Sequence, residues 1–217
     1  VEDNFKKRKG DDGEFGRRLE EALGVKENNS KDADIICSDG KVELKTHNID
    51  SNSRNTFFTK EPIWNSEKGY KNIHDVVRAF QTTNKQGVIR CNTTMRNTAN
   101  NKGLSVKINE DAKKISIIYS NNGIEEVVGY WSFDALESKL YQKCGDKVVL
   151  VLRNRKNFVI GYKIYSGGDF ESMKEMLKDG RMVIGLRAKT GASKKNRGTV
   201  FRISNKYYPD LFSGATL

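Results

Sequence analysis

The stretch ADIICSDGKVELKT, residues 33–46, decides the fold. Two short apolar runs flank Asp39-Gly40, and Asp-Gly between alternating hydrophobics is a strong signal for a two-residue hairpin turn. With that turn, Ser38 lies opposite Lys41, Cys37 opposite Val42, Ile36 opposite Glu43, Ile35 opposite Leu44 and Asp34 opposite Lys45. Residues directly opposite one another share a face of a sheet, as do alternate residues along one strand. Asp34, Glu43 and Lys45 therefore gather on one side. Ile35, Cys37, Val42 and Leu44 take the other, towards a core. Asp32 and Asp39 compete with Asp34 for the first position. Asp39 is also explained as a turn former and Asp32 as a loop residue.

Two neighbouring carboxylates repel, which raises the cost of keeping both ionised. A divalent cation resolves this, and an all-oxygen donor set suits magnesium. Such a metal polarises a phosphate and lowers the pKa of a bound water, and a lysine beside it can offset the extra negative charge on phosphorus. Glu-x-Lys alone is common on any exposed strand, so the signal comes from its combination with the preceding Asp and the turn.

Working outward, residues 13–24 (GEFGRRLEEALG) predict a helix with Phe15, Leu19 and Leu23 in one stripe and Gly24 as its stop. Glu20 borders that stripe and Glu21 points away from it. Residues 47–56 form a polar loop. A second helix is expected around residues 72–82, with Ile73, Val76, Val77 and Phe80 on one face. The second half reads mostly as strands rich in Val, Ile and aromatics, interrupted by helices near residues 134–143 and 169–178. A second polar loop, residues 189–198, precedes the last of these strands. Trp64, Trp131, Tyr130, Tyr162 and Tyr165 interleave with apolar residues and are expected in the core. The pattern is α/β (α+β), a mixed central β-sheet flanked by helices. No linker marks a boundary, so residues 1–217 are read as a single domain.

The 217 residues suffice for a proper core, and only two Pro argue against a disordered, Pro-rich chain. No apolar run is long enough to span a bilayer, and nothing at the start resembles a signal peptide. The chain starts at Val1, which leaves room for an upstream piece. Three widely spaced Cys without a CxxC pair disfavour a disulfide framework or a cysteine zinc site, and point to a reducing cytoplasm. Lys and Arg total 39 against 28 Asp and Glu, a net charge of +11 that attracts a polyanion.

These residues resemble a known family. The run Gly16-Arg17-Arg18-Leu19-Glu20-Glu21-Ala22-Leu23-Gly24-Val25, then Asn28-Asn29, Asp34 and Val42-Glu43-Leu44-Lys45-Thr46, is similar to the MutH-like branch of the PD-(D/E)XK nucleases. Within it the nearer likeness is to type II restriction endonucleases of the MvaI/BcnI type. The likeness continues through residues 55–62, 101–104 and 179–183, and through Asn196-Arg197-Gly198 with Phe201-Arg202-Ile203. It implies a restriction-endonuclease-like fold and a magnesium-dependent cut in double-stranded DNA at a short, C/G-rich, near-palindromic site. It further implies metal ligands Asp34 and Glu43, catalytic Lys45 and a helix carboxylate, Glu20. A catalytic part (residues 13–90) and a target-recognition part (90–217) would form two sides of a DNA cleft. The implied enzyme is a monomer in a prokaryotic cytoplasm, working beside a cognate DNA methyltransferase without a stable complex. Two departures stand out: the Asp34–Glu43 spacing is longer than in the nearest relatives, which keeps Asp39 in play, and the residues around Thr59 and Val200 differ.

Arginine and lysine read guanine in the major groove, and asparagine reads adenine. The polar loops and the strand beside them supply Arg54, Asn55, Lys60, Lys194, Lys195, Asn196, Arg197 and Arg202 as candidate DNA contacts, with Arg54, Arg197 and Arg202 favoured for bases. Most such contacts go to phosphate. Two other functions compete: a repair nickase acting with a partner, and a DNA-binding module without activity. The complete set of Asp34, Glu43 and Lys45 disfavours the latter.

Overall fold

In the computed structural model the described residues are 14–25, 33–38, 40–83, 89–144, 146–189 and 196–216. In chain order the elements are α1 (Glu14–Ala22), β1 (Ile35–Cys37), β2 (Gly40–Asn48), β3 (Asn55–Thr59), β4 (Ile63–Trp64), α2 (Ile73–Ala79), β5 (Thr82–Thr83), β6 (Ile89–Met95), β7 (Leu104–Asn109), β8 (Lys114–Asn121), β9 (Ile124–Ser132), α3 (Phe133–Cys144), β10 (Lys147–Arg153), β11 (Val159–Gly168), α4 (Phe170–Lys178), β12 (Met182–Lys189), β13 (Asn196–Ile203) and β14 (Phe212–Thr216). They divide into two units, residues 1–55, 140–169 and 204–217, and residues 56–139 and 170–203.

The first unit is built on a sheet ordered β1-β2-β10-β11-β14. β2 and β10 run parallel, with Glu43 beside Val148 and Lys45 beside Leu150, whereas every other pair is antiparallel. Parallel neighbours require a long crossover, so β2 waits about a hundred residues in the sequence for its partner. Leu44, Val148, Leu150, Tyr165 and Tyr208 are buried in this unit. Tyr165 and Phe212 stack at 5.2 Å between ring centroids. α1 packs against β2. Of its expected stripe only Phe15 is buried, with the Arg153 guanidinium over its ring, and Leu23 lies past the last helical residue and is exposed. Gly24 ends the helix at φ 76°, the left-handed geometry expected of it.

The hairpin differs from its sequence reading. The ladder pairs Ile35 with Val42, Ile36 with Lys41 and Cys37 with Gly40, so Gly40 belongs to β2 rather than to the turn. A tertiary contact overrides the local turn preference. The Lys41 amide donates to Asp146 Oδ2 at 2.7 Å, and the Asp146 amide donates to the Lys41 carbonyl at 2.8 Å. These two bonds tie the start of β2 to the start of β10. Gly40 sits at φ 113°, and a Cβ there would run into the Asp146 carboxylate. Gly40→Ala is therefore expected to destabilise the protein by about 1–3 kcal/mol, visible as a lower melting temperature.

The second unit holds two antiparallel sheets, one ordered β3-β13-β12-β6-β5 and one ordered β4-β9-β8-β7. Met95, Ile115, Trp131, Ile184, Leu186 and Phe201 are fully buried here. α2 packs on β6 and β12, and its N-cap Asn72 accepts from the His74 amide at 2.8 Å. It ends at Ala79, short of the expected Thr82. α4 buries Phe170, Met173, Met176 and Leu177, the spacing of one helical face. Lys174 on the same helix is buried too, bonded to Glu110 at 2.9 Å.

Three further expectations change. The loop at 47–56 is shorter, because β2 runs to Asn48 and β3 begins at Asn55. β6 is a strand that the sequence reading passed over. Tyr162, expected in the core, is 65% exposed on β11.

Candidate active site

Glu43 is the centre of the site. It projects from the middle of β2 and is only 1% exposed, in a sheet whose buried neighbours are apolar. Lys45, two residues along the same strand, lies on the same face and bonds Glu43 Oε1 through its ammonium. Lys143, at the end of α3, brings its ammonium to 3.6 Å from Glu43 Oε2. That Oε2 is buried and receives no hydrogen bond from the described residues.

Asp34 sits just before β1, and its Oδ2 accepts from the Leu44 amide at 2.8 Å. The bond pins the carboxylate to β2 beside Glu43, and its other oxygen makes no hydrogen bond among the described residues. Asp34 is thus held by the strand rather than paired across the ladder with Lys45, as the sequence alone suggested. The ladder is displaced by two residues, an even number, so every side chain keeps its face and the three groups still converge.

Burial pushes the Glu43 carboxyl above the usual carboxylate range, and the negative charge of Asp34 pushes the same way. Lys45 and Lys143 pull in the opposite direction without cancelling the effect of burial. Two oxygen donors from neighbouring carboxylates, one with a buried unbonded oxygen, fit a hard divalent cation. Among the described residues no group of three His, Cys, Asp or Glu side chains gathers as a metal cluster. Glu20 lies half-buried on α1. Cys144 is buried near Glu43, and burial pushes its thiol up to about 12.

Behind Lys45, β2 is braced from the side. The Asn55 amide nitrogen donates to the Thr46 carbonyl and to Asn205 Oδ1, each at 3.0 Å. The Asn205 amide in turn contacts His47 Nδ1. Burial first, then the nearby Arg153, lowers the His47 pKa, which keeps the ring neutral and able to accept.

The remaining candidates are dispersed. Arg54 is half-buried beside β3 in the first unit. Lys60 and Arg202 belong to the second unit, where the Lys60 carbonyl accepts from Thr199 Oγ1 at 2.9 Å and from Trp131 Nε1 at 3.1 Å. Arg202 is half-buried on β13 opposite Val183. Lys194 and Lys195 lie outside the described residues, as do Asp32, Asp39 and the side chains of Asn196 and Arg197. Lys143 was not foreseen. Its only signal was a lysine closing the expected helix at 134–143.

A family model, the MvaI/BcnI restriction endonuclease family, matches residues 2–212. Among solved structures the chain is similar to "Restriction endonuclease MvaI-cognate DNA substrate complex", at 18% identity and a TM-score of 0.79, covering 97% of this chain and 90% of that one. It is also similar to "Restriction endonuclease MvaI in the absence of DNA", at 17% identity and a TM-score of 0.60, covering 92% and 82%. No curated protein matches. The mixed α+β architecture is therefore of the restriction-endonuclease kind. On a family match that spans nearly its whole length, the chain belongs to the MvaI/BcnI restriction endonuclease family and is a type II site-specific endonuclease.

Proposed function

We propose that this endonuclease binds double-stranded DNA and hydrolyses phosphodiester bonds at a short, C/G-rich, near-palindromic site, with magnesium held by Asp34 and Glu43. The observation that carries the reading is the buried Glu43, with a lysine on one oxygen and a second oxygen that receives no hydrogen bond. When bound, the cation supplies Lewis-acid polarisation of the scissile phosphate and a water of lowered pKa. Lys45 orients the attacking water and offsets the charge that builds on phosphorus. Lys143 holds the far oxygen of Glu43, so that the carboxylate keeps one orientation. Glu20 is assigned as an accessory carboxylate on the strength of the family resemblance and of the packing of α1 on β2.

Arg54, Lys60, Lys194, Lys195, Asn196, Arg197 and Arg202 are assigned to DNA, most of them to phosphate. Asn55, first considered as a DNA contact, has its amide nitrogen committed to Thr46 and Asn205, which supports a bracing role instead. Cutting thus belongs to the first unit and reading mainly to the second. The enzyme works as a monomer in a prokaryotic cytoplasm, where a methyltransferase of the same system protects the host's own sites. A monomer with a single catalytic centre cuts one strand at a time and must rebind to cut the other.

Supercoiled plasmid and magnesium provide the test. Nicked circles are expected to rise and then fall, giving way to discrete fragments with one shared end sequence. Excess chelator is expected to stop both steps. Cutting that persists in chelator would overturn the metal assignment, and plasmids covering all short sites that stay intact would overturn the reading as a whole.

A further inference from the structure

A backbone carbonyl can only accept a hydrogen bond, and this fixes the orientation of a chain of side chains beside the site. The Thr46 carbonyl accepts from the Asn55 side chain at 3.0 Å, so the atom of Asn55 that faces it is the amide nitrogen. The same nitrogen donates to Asn205, also at 3.0 Å, so Asn205 turns its amide oxygen to Asn55. The Asn205 nitrogen is then the atom that meets His47 Nδ1. An amide nitrogen can only donate. His47 Nδ1 therefore accepts and carries no proton, and in a neutral imidazole the proton then sits on Nε2. Burial, and after it the Arg153 guanidinium, lower the pKa of the ring, so the neutral form prevails at neutral pH.

The place of that N–H follows from β2. The strand pairs with β10 without a break from Val42 to Asn48, so its side chains alternate throughout. His47 falls on the face of Glu43 and Lys45, past Lys45 by one two-residue step of about 7 Å. Leu152 of β10 lies beside it, as Leu150 lies beside Lys45. The ring is half-buried, and among the described residues its Nε2 makes no hydrogen bond. Two amides from distant parts of the chain thus hold one uncharged donor on the face of the carboxylates, with no acceptor for it among the described residues. A step of that length is comparable with the spacing of neighbouring phosphates along one DNA strand.

We infer that His47 is an uncharged donor to the DNA backbone: its Nε2–H binds the phosphate next to the one that is cut, and Asn205 is the positioning residue that sets its tautomer. His47 in this role depends on the duplex-DNA reading above, to which it adds a contact that carries no charge.

The tautomer is read from long-range nitrogen–proton NMR spectra of the imidazoles. The chain has two histidines, and His74→Gln identifies the signals of His47. At neutral pH, without DNA or metal, Nδ1 is expected bare and Nε2 protonated. Asn205→Asp keeps the acceptor for Asn55 and turns the donor to His47 into an acceptor, so a proton is expected on Nδ1. A wild-type ring protonated at Nδ1, or a variant ring that stays bare there, removes Asn205 from control of the ring and overturns the proposal. The phosphate contact is scored by duplex binding in chelator over a range of salt. His47→Ala is expected to weaken binding by on the order of tenfold with an unchanged salt slope, because a neutral donor displaces no counterion. His47→Gln, which carries an amide N–H near the place of Nε2, is expected to bind within a few-fold of wild type. Wild-type binding by His47→Ala refutes the contact, and so does a glutamine variant as weak as the alanine one. A salt slope shallower by about one in His47→Ala also refutes it, because that is the mark of a charged ligand. Digestion of plasmid by the wild type with magnesium separately scores the nuclease reading, since failure there leaves the tautomer result standing.

Discussion

Glu43→Gln is expected to abolish cleavage while raising the melting temperature of the metal-free protein. The two effects have one cause. Glu43 is 1% exposed, and its pKa is raised chiefly by burial. A carboxyl whose folded pKa lies above its unfolded value favours the fold while protonated. That contribution is complete below the ordinary carboxylate range and is lost as pH rises through the folded pKa. At neutral pH the ionised Glu43 is therefore a net cost to folding, even with Lys45 and Lys143 nearby. Glutamine keeps the shape without the charge. The gain in melting temperature should be present at neutral pH, shrink as pH falls below the raised pKa, and vanish once wild-type Glu43 is protonated in both folded and unfolded states. Cleavage with magnesium should fall by roughly a thousandfold or more, because in our assignment a metal oxygen has been replaced by an amide. Thermal melts in chelator across this pH range, with a digest alongside, decide the matter. A melting temperature that drops at neutral pH would mean that the ion pairs outweigh burial and that Glu43 is a structural anchor. Sites of this kind are maintained at the expense of stability, since function requires the charge.

Lys45→Ala is expected to remove cutting while leaving DNA affinity within a few-fold of wild type. Lys45 bonds Glu43 Oε1, and its side chain is only 20% exposed, so it sits beside the carboxylates rather than on the outer surface. Its ammonium both pulls the Glu43 pKa down and, in our assignment, offsets charge on phosphorus during reaction. The variant leaves Glu43 with Lys143 as its cationic neighbour, which further favours the protonated carboxyl. The cleavage rate should fall by roughly a hundred- to ten-thousandfold. Binding draws mainly on phosphate contacts elsewhere, so its salt dependence should be little changed. A variant that cuts at more than about a tenth of the wild-type rate would remove Lys45 from the chemistry.

The candidate site hairpin was legible in the sequence because strands have a period of two. Placing the turn at Asp39-Gly40 misassigned the register, yet the slip was even, and Asp34, Glu43 and Lys45 stayed on one face. The cause of the slip was invisible: Asp146 fixes Lys41 from 105 residues away. Lys143 was hidden for the same reason, since only the crossover into β10 delivers the end of α3 to β2. β6 was missed because its polar residues masked its alternation, yet Cys91, Thr93 and Met95 point inward while Arg90 and Asn92 point out. Tyr162 was misplaced because aromatic content marks strands without marking which of their faces is covered.

The order of strands in the first sheet also bears on how the protein is made. Asp34, Glu43 and Lys45 leave the ribosome well before the strand that steadies them. The strand that β2 pairs with in parallel, residues 147–153, emerges about a hundred residues later, and residues 212–216 complete the far edge last. Pairings so distant in sequence form late and slowly. A nascent chain that ends before β10 thus carries Asp34, Glu43 and Lys45 in a hairpin without the strand beside it. Chains that stop short of β10 are therefore expected not to cut DNA.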